Sequence, residues 1–406
     1  MDRSRIWLGG ALLAALVGCE GDEPASHAGP AGSGGSGGGG ARTTSVDARG
    51  TIALGQTSML FGGTVSESSD LTFDWSADTL SVSLYAELDG GAADDVVFVT
   101  FLEGPGGNDL FRAGADIDAY LGLGRPLRPG LFPGSGSLLL PEADGDVVAS
   151  GTYTFRLGST RPLAKLWVVH RTGPMPASGT LDLDLYFVEG SGLTSADTGT
   201  TLAPAIDEMF KIFRQAGIDR GVVRGIDLAG ADAAEFVAPR VDLTPTGPMR
   251  RLVTRAAGAP TSYNIFFTRT LTGDDPGSMT LGISMGIPAA LAIQGTIGSG
   301  SIVGVEGHRR ADGTLDLSEL GSTMAHETAH SMGLFHTTEK DGKKHDLISD
   351  TPECPIGNDT NGDGLSPEEC MTLDASNFLF WTGTGNRGLS AGQKEILLRS
   401  PIVQGR

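Results

Sequence analysis

Three of the seven histidines in this 406-residue chain fall within eleven consecutive residues. The stretch reads His326-Glu327-Thr328-Ala329-His330-Ser331-Met332-Gly333-Leu334-Phe335-His336, the pattern H-E-x-x-H-x-x-G-x-x-H. On a helix, His326 and His330 are four residues apart, so both project from one face and can hold one metal ion. Glu327 is angled so that a metal-bound water can lie near its carboxylate. Gly333 lets the chain turn sharply out of the helix, because glycine takes positive φ without a steric penalty. The turn brings His336 back as a third ligand. A fourth position left open for water is what separates a catalytic zinc site from a structural one. The competing reading, a helix with surface histidines and an incidental glutamate, does not explain the extended pattern.

The residues before the motif support the helix. Leu317, Leu320, Met324 and Ala325 recur at helical spacing, with Asp316 or Ser318 available as N-cap. The eleven-residue motif resembles the metzincin clan of zinc endopeptidases. Asp346-Leu347-Ile348-Ser349-Asp350-Thr351-Pro352 resembles the aspartate-rich segment that follows the zinc helix in pappalysin-like (M43-type) metzincins. Asn377-Phe378-Leu379-Phe380-Trp381 resembles that family's Met-turn, N-x-M-x-Y. Leu389-Ser390-Ala391-Gly392-Gln393 resembles the start of its C-terminal helix. The similarity covers the last ninety or so residues well and extends more loosely back to about residue 198.

The resemblance implies an α+β catalytic domain, a mixed sheet plus the zinc helix, over residues 198–406. It implies one catalytic Zn2+ on His326, His330 and His336, Glu327 as general base, and a protein or peptide substrate. Two residues depart from the family pattern. Leu379 stands where the Met-turn has methionine, a swap of nearly equal volume. Trp381 stands where some relatives carry a tyrosine whose hydroxyl assists the site, and an indole N–H cannot supply an oxygen ligand. Metal binding is therefore expected, and the level of activity is what Trp381 puts in question.

Charge narrows the function classes. With 29 basic and 49 acidic residues the formal charge is −20. Nucleic-acid binding is excluded on this ground, since phosphate backbones demand basic patches. The N-terminus reads as an export signal. Asp2-Arg3-Ser4-Arg5 supplies the charged start, and Ile6 to Val17 supplies an apolar stretch too short to span a bilayer. It ends in Leu16-Val17-Gly18-Cys19, which resembles the lipobox of bacterial lipoproteins, where the cysteine is lipidated. An ordinary secretory signal with an incidental cysteine is the alternative. Residues 1–19 are thus read as a lipoprotein signal, with Cys19 as lipidation site. Residues 20–45, rich in Gly and Ser, are read as a flexible tether. This places the protein in a bacterial cell envelope, lipid-anchored to a membrane at the outer membrane or cell surface. Oligomeric state is not legible.

With Cys19 assigned to the lipobox, Cys354 and Cys370 remain. An exported chain meets an oxidising environment, and a disulfide between the two is the natural reading, with two free thiols as the alternative. Between them, Asp359-Thr360-Asn361-Gly362-Asp363-Gly364 matches the first six positions of an EF-hand-like loop. Position twelve is Cys370 rather than glutamate. The segment reads either as a Ca2+ loop with altered closure, held by Asp359, Asn361 and Asp363, or as a polar turn without metal.

Residues 46–192 read as an all-β, sandwich-like domain. Leu80, Val82, Leu84, Ala86 and Leu88 alternate with polar residues, and so do Thr152–Leu157 and Leu181–Tyr186. Gly/Pro turns punctuate them without intervening helices. From residue 198 the texture changes. Leu202, Ile206, Met209, Phe210 and Phe213 predict an amphipathic helix ending before Gly217. Strand-like runs follow at 222–228, 263–268, 279–287 and 301–305. A substrate is expected to pair with an exposed strand edge, for which 301–305 is the nearer candidate. The sequence therefore points to a zinc endopeptidase. The rival is an inactive zinc-binding surface lipoprotein whose β domain carries an adhesion or binding role.

Overall fold

The computed structural model describes residues 42–405 apart from 62, 115–126, 146–147, 231–232, 273–278 and 383–386. The segment read as an export signal, Cys19 and most of the segment read as a tether (residues 20–45) lie outside the described residues. The first eleven strands are β1 (Thr43–Ala53), β2 (Gln56–Leu60), β3 (Gly63–Glu67), β4 (Leu71–Trp75), β5 (Thr79–Glu87), β6 (Val97–Gly104), β7 (Asn108–Arg112), β8 (Gly130–Phe132), β9 (Ser135–Leu140), β10 (Gly151–Ser159) and β11 (Leu163–Thr172). β1 begins inside the segment read as tether.

These strands form two antiparallel sheets. One has the order β1-β11-β5-β9-β8; the other runs β2-β3-β10-β6-β7, with β4 also on β10. They share one apolar core. Val82, Leu84 and Ala86 of β5, and Leu166 and Val168 of β11, meet Phe155 and Leu157 of β10 and Leu102 of β6. The alternation in β5 predicts a half-buried strand, yet nearly all of it is buried. The cause is a second neighbour. Tyr85, Leu139 and Val169, on the opposite face, join the core of the C-terminal half. The first sheet is therefore covered on both sides, and its polar positions find partners across the boundary. Ser81 Oγ donates to the Arg399 carbonyl at 2.7 Å, and a Glu87 carboxylate oxygen accepts from the Ile297 N–H at 3.1 Å.

The C-terminal half comprises β12 (Gly179–Val188), α1 (Ala203–Phe213), β13 (Ile218–Leu228), α2 (Pro248–Val253), β14 (Ser262–Thr268), β15 (Leu271–Thr272), β16 (Met279–Thr280), β17 (Gly282–Ser284), β18 (Ser301–Gly304), α3 (Leu317–Ser331), α4 (Ala391–Arg399) and β19 (Val403–Gly405). Its main sheet has the order β13-β12-β14-β18-β17, with β19 on the start of β12. β12, β13, β14 and β18 are mutually parallel, whereas β17 runs antiparallel to β18. Odd-numbered Leu181, Leu183, Leu185 and Phe187 of β12 pack on α1 and α3, while Tyr186 and Val188 face the α2 side. Both faces are covered, as parallel strands require. The molecule is thus mixed α and β, with mostly antiparallel pairings and few helices.

Two expectations are corrected here. β12, read from its alternation as part of residues 46–192, pairs with β13 and β14 in the C-terminal sheet. Period-two alternation identifies a strand but not its partner. The polar position Asp184 is itself fully buried and is paired with Arg224 at 2.7 Å. Residues 301–305 are not the free edge. β18 lies between β14 and β17, and β17 occupies the outer position. The predicted helix over 202–213 is present as α1, and Gly217 adopts φ 74° just beyond it. Among the described residues no helix is long and apolar enough to cross a membrane.

Candidate metal centre

α3 carries the H-E-x-x-H segment. Of the two N-cap candidates, Asp316 fills the position, accepting from the Ser318 and Glu319 N–H groups at 3.1 Å each. His308, fully buried, ties the preceding turn to the helix. Its ring nitrogens lie 2.8 Å from the Gly304 carbonyl and 2.8 Å from Thr323 Oγ1. Leu320, Met324, Ala325 and Ala329 press one face of α3 into the core shared with α1. The other face presents His326 and His330. Gly333 ends the helix at φ 106°, a conformation L side chains rarely adopt, and a Cβ there would meet Leu139 Cδ2 at 2.7 Å. The chain then returns His336 to the histidine pair.

The three Nε2 atoms lie 2.9, 3.1 and 3.2 Å apart. Every Nδ1 faces an acceptor. His326 Nδ1 lies 3.3 Å from the Phe378 carbonyl, His330 Nδ1 2.6 Å from the Leu334 carbonyl, and His336 Nδ1 3.0 Å from Glu339 Oε2. An acceptor at Nδ1 holds the proton there, which leaves the Nε2 lone pair bare. Burial, joined by the neighbouring rings, drives His326 well below the ordinary histidine range and His330 to about 3. Three Nε2 atoms therefore converge on one point in a buried site. That donor set suits a cation, and the spacing suits zinc–nitrogen distances of about 2.0–2.1 Å. Among the described residues these three histidines form a convergent donor group.

Glu327 is buried, and burial pushes its carboxyl up to about 8, opposed by a hydrogen bond from the Ser284 N–H. The side chain lies directly against the outer strand. A Cβ on Gly282 would fall 2.7 Å from Glu327 Cγ, so glycine is what allows β17 to approach. The Ser284 hydroxyl bonds Ser331 Oγ at 2.8 Å, fixing the strand to the end of α3.

Beneath the histidines runs the turn 377–381. Leu379 is fully buried and joins the core that holds Met324 and Ala325. Its N–H donates to Asn377 Oδ1 at 2.8 Å, and its carbonyl accepts from the Thr337 N–H at 2.9 Å. Phe378 provides both the carbonyl that faces His326 and a ring 5.6 Å from that imidazole. Trp381 turns into a separate cluster with Cys354, Cys370, Leu365 and Phe380, and its Nε1–H donates to the Leu365 carbonyl at 2.9 Å.

Cys354 and Cys370 are disulfide-bonded, with Cα atoms 5.7 Å apart. In the enclosed loop, Asp359 accepts from the Gly362 N–H at 2.6 Å and the Gly364 N–H at 3.1 Å. Asn361 turns its amide nitrogen to Asp363 Oδ2 at 3.1 Å. The three residues read as calcium ligands are thus close together, and their oxygens are engaged by protein donors. In the aspartate-rich segment, Asp346 accepts from Thr351 Oγ1 at 2.6 Å, and Asp350 accepts from the Gly392 N–H at the start of α4.

Sequence reading did not single out Glu339 or the Phe378 carbonyl. Glu339 stands three residues beyond His336, a spacing that marks it only once His336 is accepted as a ligand. A backbone carbonyl leaves no trace in side-chain identity.

No family model matches the chain, and no curated protein matches it. Among solved structures, it is similar to mirolysin in complex with compound 9, at 14% identity and a TM-score of 0.36 over 54% of this chain and 91% of that one. It is also similar to metalloproteinase-II from Bacteroides fragilis, at 14% identity and a TM-score of 0.26 over 43% of this chain and 54% of that one.

Proposed function

We propose that the chain is a zinc-dependent endopeptidase of the pappalysin-like metzincin type. The observation that carries the reading is the convergence of three histidine Nε2 atoms next to Glu327 and the outer strand β17. When bound, zinc supplies Lewis acidity to the scissile carbonyl and acidifies water held at the site. His326, His330 and His336 hold it through Nε2. Glu327 takes the proton of the attacking water and passes it to the leaving amine. β17 offers its outward backbone groups to an extended peptide, aligning the bond to be cut.

The order β13-β12-β14-β18-β17, with one antiparallel outer strand, supports the same reading, as does the Asn377–Trp381 turn beneath the histidines. In this proposal the two N-terminal sheets form a sandwich-like domain. Lipidation of Cys19 would anchor the protein to a bacterial envelope, with exported or extracellular proteins as substrates. One observation favours the rival of an inactive zinc-binding lipoprotein: Trp381 points away from the histidines and supplies no hydroxyl there.

Cleavage of a denatured protein substrate decides between them. The full chain is tested as purified, after chelation, after zinc is restored, and as Glu327→Gln. A zinc endopeptidase loses cleavage on chelation, regains it with zinc, and loses about 10²–10⁴-fold in Glu327→Gln while still binding one zinc. No cleavage by a zinc-loaded wild type supports the rival.

A further inference from the structure

Arg128 belongs to the N-terminal half, in the segment leading into β8, yet its side chain works in the C-terminal half. It is only 4% exposed. The guanidinium carbon lies 4.1 Å from the centroid of the Phe335 ring, the residue immediately before His336. Nη1 donates to the His345 carbonyl at 3.2 Å. Burial works against its charge, and the carboxylates of Glu339, Glu142, Asp346 and Asp341 offset that cost electrostatically.

These contacts enclose one short loop. Residues 336–345 leave the histidine cluster and come back, closed by Thr338 pairing with His345, whose Nδ1 lies 3.2 Å from Thr338 Oγ1. Glu339 sits on this loop and holds His336 Nδ1 at 3.0 Å. Arg128 touches the loop where it leaves, at Phe335, and where it returns, at His345. Between these points the loop carries Glu339, whose carboxylate lies within electrostatic reach of the guanidinium. A buried guanidinium is costly unless charged partners surround it. For Arg128 the compensating carboxylates act at electrostatic range, and Glu339, Asp341 and Asp346 among them lie in the half of the chain that carries the histidines.

We infer that Arg128 is a positioning residue for the third metal ligand: it fixes the loop at Phe335 and His345, that loop carries Glu339, Glu339 fixes the His336 ring, and the N-terminal half thereby sets the metal affinity of the C-terminal half. The inference rests on the proposed metal site. It extends that site to a residue far outside the H-E-x-x-H-x-x-G-x-x-H segment. Partners of metal-bound histidines typically control affinity by about 10–100-fold. Arg128 acts one step further out, so a loss near the lower end is expected.

The test is zinc affinity, measured by chelator competition on the full chain. The variants are Arg128→Met, Arg128→Lys, Glu339→Gln and the double variant Arg128→Met/Glu339→Gln. Asp144→Ala serves as a contact control, because Asp144 crosses the same boundary to the Ser349 N–H and hydroxyl at 2.7 Å each. Arg128→Met should weaken zinc binding about tenfold. Arg128→Lys should recover part of this, since it restores charge without the planar stack on Phe335. The double variant should bind within about twofold of Glu339→Gln alone, because coupled residues are not additive. Asp144→Ala should lower Tm and leave zinc affinity unchanged. Wild-type affinity in Arg128→Met, multiplicative losses in the double variant, or an equal loss in Asp144→Ala would overturn the inference. Should Arg128→Met fail to fold, wild-type affinity in Arg128→Lys overturns it, and a loss there that disappears in the Glu339→Gln background supports it. A wild-type chain that binds no zinc would instead refute the metal site itself.

Discussion

Asn377 and Gln393 exchange two hydrogen bonds, from Asn377 Nδ2 to Gln393 Oε1 at 2.9 Å and from Gln393 Nε2 to Asn377 Oδ1 at 3.1 Å. Gln393 also completes the capping box of α4 with Ser390. One amide pair thus fastens the turn under the histidines to the N-terminus of the last helix. Asn377 Oδ1 additionally accepts from the Leu379 N–H. Asn377→Ala leaves a fully buried glutamine amide without this partner and frees the turn. The cost is about 1–3 kcal/mol of stability. Because Phe378 presents its carbonyl to His326 from the same turn, zinc affinity should fall as well. Thermal unfolding and chelator competition on the same sample test both. A drop in Tm with unchanged zinc affinity would separate the turn from the metal centre.

Leu379 and Trp381, where the sequence departs from the Met-turn it resembles, lead to unequal expectations. Leu379 is fully buried, and Leu379→Met conserves volume, so stability read from thermal unfolding should change by no more than about 1.5 kcal/mol. Trp381→Tyr does not place a hydroxyl among the histidines, because the side chain at 381 is directed into the disulfide cluster. It removes the indole N–H bond to Leu365 and the contact with Lys340, whose Nζ lies 5.2 Å from the ring. Trp381→Tyr should therefore destabilise the protein without raising the rate of peptide cleavage. A marked gain in rate would show that this residue swings toward the site.

The motif was the most legible part of the chain, for a physical reason. Ligand spacing on a helix and a glycine turn are local properties, and Gly333 and the Asp316 cap behave as local rules require. The strands were legible as strands, but their assignment was not. β5 carries Ser81, Ser83 and Glu87 at positions that a half-buried strand would give to water, and all three are buried against the C-terminal half. β12 shows the same failure in reverse, its Asp184 kept by Arg224. The segment 279–287 holds two short strands rather than one, and the second of them forms the outer edge assigned to 301–305. Arg128 had no signal at all, since its role exists only once two distant segments are packed together.

The disulfide encloses a segment with little regular structure, in which a single 3-10 turn (Ile356–Asn358) is the helical element among the described residues. A loop closed over a separation of 16 residues contributes about 3 kcal/mol in the chain-entropy model. The double variant Cys354→Ser/Cys370→Ser should lose that amount and also loosen Trp381 and Leu365, which pack on the bridge. Loss of Tm in the double variant, with no change on adding a reductant to it, is the expected pattern. An unchanged Tm would mean that the segment is held by its side-chain bonds, such as those of Glu369 to Thr360 and Ser366, rather than by the bridge.

Asp346 gives the chain a pH dependence of definite sign. Burial pushes its carboxyl up to about 7, against the opposing bonds from Thr351 and Ile348 and the charge of Arg128. In the unfolded chain an aspartate titrates near its ordinary value, about 3.9. Between those two values the folded state holds a proton that the unfolded state has released. The contribution of Asp346 to stability is therefore complete below about pH 4 and is lost as pH rises through about 7. Asp346→Asn removes the titration while keeping an oxygen for Thr351 Oγ1. The difference in Tm, wild type minus Asp346→Asn, should fall steadily from pH 4 to pH 8. A difference that stays constant across that range, or that grows with pH, would place the Asp346 proton elsewhere and leave Arg128 as the dominant influence on this carboxylate.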